Sequence, residues 1–287
     1  MKLNPICKRE IMVSGRSSRT AVMITVFNAV LALVALIYMN YVLGEVRVTG
    51  QIRYQAFLTI FRYIAWIELI MILLVMPALT SGSISGERER GTLDLILATK
   101  MTPADILLGK LMTSFYSVFL LILSSAPVMA LVFVYGGVTG KDMLVLFFCF
   151  FTAALLCGSI GIWFSGLLRK TTAATASAYG LEGILFLGTI GINMLFRNIF
   201  AVSKGSFMLM LFSPVSVFYA AVGRMTGDGN AVRNFAENYG ISGSGFLSTH
   251  WIVLGSAVQI LLSCLLIFLA ARALRRPFRA LKNSRKV

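Results

Sequence analysis

Four alternating charges, Glu87-Arg88-Glu89-Arg90, followed at once by Gly91, stand out in a chain that is otherwise largely apolar. The run is locally neutral, so it cannot act only as a topogenic basic signal. Mixed charges on a short turn suit charge-assisted contacts with another protein surface, or a solvated turn. Glu68 and Glu182 are acids set within long apolar stretches. A charge at mid-membrane costs on the order of 3 kcal/mol or more, so each must face protein or a water-filled path. They read as lining for a substrate path or an ion-coupled step, or as structural groups bonded to Arg62 or to backbone. Other catalytic chemistry is sparse. The single histidine, His250, excludes a His-based metal cluster and a conventional triad. The run Gly136-Gly137-Val138-Thr139-Gly140-Lys141-Asp142 has the wrong spacing for a phosphate-cradling loop and ends in Asp. Cys149, Cys157 and Cys264 read as small apolar packers, with Cys7 ahead of the first apolar run.

The elements that position these groups follow from composition. Of 287 residues, 58% are apolar and 13% charged. Soluble domains average roughly 45–50% and about 25%, so the chain reads as an all-α polytopic membrane protein. Six runs can cross a hydrocarbon core of about 30 Å. They are Ala21–Leu43, Phe57–Ser81, Ile106–Tyr135 with a kink expected at Pro127, Met143–Leu168, Thr171–Phe196 and Trp251–Ala271. A seventh stretch, Phe207–Gly223, is broken by Pro214 and suits a re-entrant or interfacial helix buried against protein. The whole chain, 1–287, reads as one membrane domain, with an interfacial helix in 1–20, an inner loop in 82–105 and an outer loop in 197–248.

The net charge of +15 could suggest nucleic acid, but no basic stripe is interleaved with exposed aromatics. Its distribution follows topology. With the amino terminus inside and six spans, 18 of the 26 Lys and Arg face the cytoplasm, seven of them in the tail from Arg272 to Lys286. Both termini are then cytoplasmic, in a multi-pass protein of the cytoplasmic membrane.

Residues 2–19 mix Leu3, Ile6, Ile11 and Val13 with Lys8, Arg9, Arg16 and Arg19. A basic amphipathic helix on the inner leaflet fits them, as does a plain basic topology signal. After the second span, Gly91 permits a sharp turn, and Leu93, Ile96 and Leu97 form a short apolar face opposite Asp94. Thr102-Pro103-Ala104-Asp105 then restarts a helix, with Thr102 as N-cap and Asp105 closing a capping box. The result is a short amphipathic helix hung under the membrane beside a charged cluster.

The run Ser85-Gly-Glu-Arg-Glu-Arg-Gly-Thr-Leu-Asp-Leu-Ile-Leu-Ala-Thr99, then Met101-Thr-Pro and Leu107-Leu-Gly-Lys110, resembles the motif of ABC-2 type transporter permeases. Asn4-Pro-Ile-Cys-Lys-Arg-Glu10 is similar to the amino-terminal helix of the same family. Lys100 departs from the pattern, where relatives often carry Pro. The resemblance implies a half-transporter, paired with a second permease copy or paralogue. Its inner loop would form a coupling helix on a separate ATP-binding subunit, and a re-entrant stretch would precede the last span. ATP and Mg would then belong to the partner, since this chain lacks a phosphate cradle, and the chain itself would be no enzyme. Glu87, Arg88, Glu89, Arg90, Gly91, Leu93, Asp94 and Ile96 would make the docking contacts, with Glu68 and Glu182 on a substrate path. Two other classes stay open: an intramembrane enzyme using Glu68, Glu182 and His250 on a lipid-linked substrate, and a non-transporting anchor. The substrate is not legible in the residues.

Overall fold

A computed structural model describes residues 18–50, 54–93, 95, 98, 102–135, 138–192, 195, 210–227 and 250–284, the side chains of 19, 49, 54–56, 128, 130–135 and 275–284 excepted. The expected interfacial helix before residue 18, and residues 197–209 and 228–248 of the expected outer loop, lie outside the described residues, as do Asp94, Ile96 and Leu97. The chain is an all-α bundle. Its helices are α1 (Ser18–Thr49), α2 (Tyr54–Glu89), α3 (Pro103–Tyr135), α4 (Gly140–Leu167), α5 (Thr171–Gly183, continued through a π-helical turn at Ile184–Gly188), α6 (Pro214–Met225) and α7 (Trp251–Ser284). Six of them, all but α6, are long and apolar enough to cross a membrane. Helices are the obvious form for such runs, because lipid offers the backbone no hydrogen-bond partner.

Local signals set several helix ends. Thr102 and Asp105 cap α3 reciprocally: Thr102 N–H and Oγ1 donate to Asp105 Oδ2 (3.2 and 2.6 Å), and Asp105 N–H donates to Thr102 Oγ1 (3.2 Å). The described end of the glycine-containing run before α4 has the same use. Thr139 and Asp142 form a capping box that opens α4, which accounts for an acid where a phosphate loop would carry Ser or Thr. Pro127 lies inside α3 as expected, and α2 holds a second internal proline, Pro77. Near it, Tyr179 Oη on α5 donates to the Leu74 carbonyl.

The centre of the bundle is α4, which packs on α2 most extensively and on α7 next. Between spans, burial of apolar surface gives little net drive, since lipid is equally apolar; close packing of small residues does the work. The buried side of α4 has that composition: Ala153, Ala154, Cys157, Gly158, Ser159, Gly161, Ser165 and Gly166. At Gly161 an added Cβ would fall 2.0 Å from Thr80 Oγ1, so α2 and α4 touch there at backbone distance. By contrast α1 is peripheral, its span window only 11% buried. It is tied to α3 by Asn28 Nδ2, which donates to Ser124 Oγ at 2.9 Å.

Four features differ from the sequence expectation. First, α2 runs past Ser81 to Glu89, because its serine- and glycine-rich end is covered by α4 and does not emerge into water. Second, Pro214 begins α6 rather than breaking a helix; its missing N–H costs nothing at the first turn. Twelve residues span about 18 Å, too short to cross, and α6 is buried against protein. Phe218 of α6 sits between Trp66 on α2 (ring centroids 5.1 Å apart) and Phe150 on α4 (5.5 Å). Third, the π-helical turn in α5 begins two residues after Glu182. Fourth, Cys264 is exposed on α7 rather than packed, whereas Cys149 and Cys157 are buried.

Candidate partner-docking site

Glu87, Arg88 and Glu89 occupy the last turn of α2, with Arg90 just beyond it, and the first three reach three different helices. Glu87 turns toward α3, where Lys110 Nζ lies 3.2 Å from its Oε1, and it also accepts from Thr92 Oγ1. Arg88 turns toward the end of α4, donating from its two terminal nitrogens to the carbonyls of Leu168 and Gly166, both at 3.1 Å. Helix C-termini leave carbonyls unsatisfied and carry partial negative charge, so a guanidinium suits both needs. Glu89 does the converse for α5. Its two carboxylate oxygens accept from Thr171 N–H and Thr171 Oγ1, each at 2.9 Å. The N-cap residue of α5, Lys170, makes no side-chain cap, and an acid from another helix fills that role. Arg90 is exposed.

Gly91 closes the helix. Its φ of +70° lies in the left-handed region, where glycine has no Cβ penalty. Around it, Thr92 N–H donates to the Glu87 carbonyl (2.9 Å) and Gly91 N–H to the Arg88 carbonyl (3.2 Å), the paired closure of a Schellman turn. The chain therefore leaves α2 through a hydrogen-bonded turn. Beyond the turn Leu93 is tucked into the bundle core at 6% exposure, while Leu95 is 71% exposed. Among the described residues of this segment, Leu95 is the apolar side chain presented outward, and Leu93 serves as its inward anchor.

Above this turn α2 is pinned to α4 by Ser165. Its Oγ accepts from the main-chain N–H groups of Ile84 (2.8 Å) and Ser85 (2.9 Å) and is completely buried. Ser165→Ala removes that shared acceptor and is expected to lower stability by about 1–2 kcal/mol, read as a lower Tm in detergent. Ser159→Ala, whose hydroxyl bonds only the Leu156 carbonyl one turn back on α4, is expected to change Tm much less.

The two buried acids go to separate places. Glu68, on α2, accepts from Ser125 Oγ on α3, so its partner is a hydroxyl rather than Arg62. Glu182, on α5, is 3% exposed and contacts the Cys157 thiol on α4; its Oε1 has no hydrogen-bond partner among the described residues. His250 is exposed just ahead of α7. The two acids meet different neighbours, Ser125 on α3 and Cys157 on α4.

A model of the ABC-2 family transporter proteins matches residues 4–274, nearly the whole chain. The chain belongs to that family. A comparison with curated proteins finds no match. As an ABC-2 family member with six spanning helices, the chain is a membrane-embedded permease. In this permease the end of α2 joins α3, the α4 end and the α5 start through one tripeptide, Glu87-Arg88-Glu89. The sequence reading missed those destinations and also missed Ser165, Gly161 and Thr171. The one local cue was the absence of a capping side chain at Lys170, ahead of a helix that needs one.

Proposed function

We propose that this permease is the membrane subunit of an ATP-binding-cassette exporter, seated as a pair on two ATP-binding subunits through the segment that follows α2. The observation that carries the proposal is the wiring of the α2 end. A push on the Gly91 turn acts directly on α2, on α3 through Glu87 and Lys110, and on the α4–α5 junction through Arg88 and Glu89. One loop therefore loads four spanning helices at once, as a coupling element must. Arg90 and Leu95 are the groups it offers outward; Glu87, Arg88, Glu89, Gly91 and Leu93 hold it in shape. Asp94 and Ile96 belong to the same proposed contact surface. ATP and Mg would bind the partner, and the closing of the two ATP-binding subunits would shift the spans between inward- and outward-open arrangements. Glu182, with a carboxylate oxygen that has no partner among the described residues and lies beside a π-helical turn, is a stronger candidate for the substrate path than Glu68, whose carboxyl is engaged by Ser125.

In this reading six crossings leave both termini on one side, and the bias of basic residues supports the cytoplasm as that side. In a cysteine-free background, single cysteines at positions 17 and 284 should label only from the cytoplasmic side, and one at 242 only from outside. External labelling at 284 would overturn the six-span orientation. The purified chain alone should hydrolyse no ATP, and turnover should appear only with a co-purifying P-loop subunit. ATP turnover that persists after every other protein is removed would overturn the exporter reading.

A further inference from the structure

A cavity of about 1180 Å³ opens between the end of α2, the end of α4 and the basic end of α7. Arg88, Arg169 and Arg272 line it together with Glu89, and its apolar wall holds Trp163, Leu167 and Leu269. Among the described residues the charges are not balanced from within. Arg88 and Arg169 lie close enough to repel each other. The one acid on the wall among the described residues, Glu89, has both oxygens bonded to Thr171. Arg272 stacks over the Phe268 ring at 5.1 Å, so its guanidinium is held in place beside the apolar wall. Leu167 and Leu269 are exposed, at 47% and 37%, at the level where the spanning part of α4 ends.

Cations that repel one another above an exposed apolar wall with a tryptophan call for an amphiphilic anion. A free metabolite would leave the leucine wall wet, and an acyl chain alone would leave the guanidinium groups unneutralised. We propose that this cavity holds the phosphate headgroup of an anionic glycerophospholipid from the leaflet next to the charged end of the bundle. Arg169 and Arg272 grip the phosphate, and the acyl chains run along Trp163, Leu167 and Leu269. Arg88 adds positive potential while its own hydrogen bonds stay on the α4 carbonyls. The proposal rests on the spanning bundle and does not depend on any ATP-binding partner.

The test uses the full chain in nanodiscs of equimolar phosphatidylcholine and phosphatidylglycerol, with retained lipid read by native mass spectrometry. The wild type should retain phosphatidylglycerol selectively. Arg169→Gln with Arg272→Gln should reduce that selectivity about tenfold, the scale of one charge-assisted hydrogen bond. Lys141→Gln, at the other end of α4, should leave it unchanged. A second arm offers inorganic phosphate to the chain in phosphatidylcholine alone. Binding there with the same dependence on Arg169 and Arg272 would overturn the lipid assignment in favour of a free anion. Equal lipid retention by the wild type and the double variant, at equal Tm, would overturn the site itself.

Discussion

Gly161→Ala is expected to keep the bundle from closing. The new Cβ would stand 2.0 Å from Thr80 Oγ1, 3.0 Å from Thr80 Cβ and 3.1 Å from the Ser81 main-chain nitrogen. None of these atoms can move cheaply. Thr80 is fully buried, its hydroxyl is bonded to the Met76 carbonyl at 2.8 Å, and Ser81 N belongs to the helix itself. Relief would require separating α2 from α4, the most extensive contact in the protein. Overpacking commonly costs about 1–3 kcal/mol, and a clash against backbone belongs above that range. Membrane yield and monodispersity in detergent should fall sharply. Gly158→Ala is the control. Its Cβ would meet Met76 Cε at 2.7 Å and Leu111 Cδ1 at 2.8 Å, both ends of flexible side chains, and a loss of about 1 kcal/mol is expected. Thr80→Ala should partly rescue Gly161→Ala, because it removes the nearest clashing atom but leaves Cβ and Ser81 N. A well-folded, fully expressed Gly161→Ala protein would mean that α2 and α4 do not pack as described.

Glu89→Lys is expected to uncouple ATP turnover from transport. The substitution removes both acceptors from Thr171 and sets a cation at the positive end of α5, next to Arg169 and Lys170. The α2 end would then be repelled from the α4–α5 junction to which it is now bonded. Transport-dependent ATP turnover should fall about tenfold or more if this junction relays the stroke. Glu89→Gln keeps one acceptor and should lie between the two. Thr171→Val separates the routes, since it alters the cap without touching the outward surface. It should preserve co-purification with the ATPase and lower coupling, whereas Glu89→Lys should lower both. Gly91→Val acts on shape alone. A left-handed φ costs a residue with a Cβ about 1–2 kcal/mol, and a β-branched one more, so the turn would open with its charges intact. If Glu89→Lys and Gly91→Val both keep full coupling at normal expression, the segment is a solvated turn and the exporter proposal loses its support.

The amino-acid sequence by itself determined the elements that depend on neighbours a few residues away. A run of apolar residues long enough to cross lipid has one practical solution, a helix, so the six spans were legible from length and composition. The Thr102–Asp105 cap closes over three residues, and the Gly91 turn depends on glycine alone, so both were legible too. Only the tertiary structure decided where the polar groups of those elements go. Glu89 lies 82 positions from Thr171, and Arg88 lies 80 from Leu168; nothing within one helical turn marks either pairing. An alternating charge run looks the same whether it faces a partner or staples its own bundle. Likewise a glycine in an apolar span reads as a weak helix former until the facing helix arrives at backbone distance, as α2 does at Gly161. The physical reason is common to both cases. Hydrogen bonding along a helix is satisfied locally, while caps, ion pairs and close packing between helices are satisfied by whichever residues the fold brings within a few ångströms.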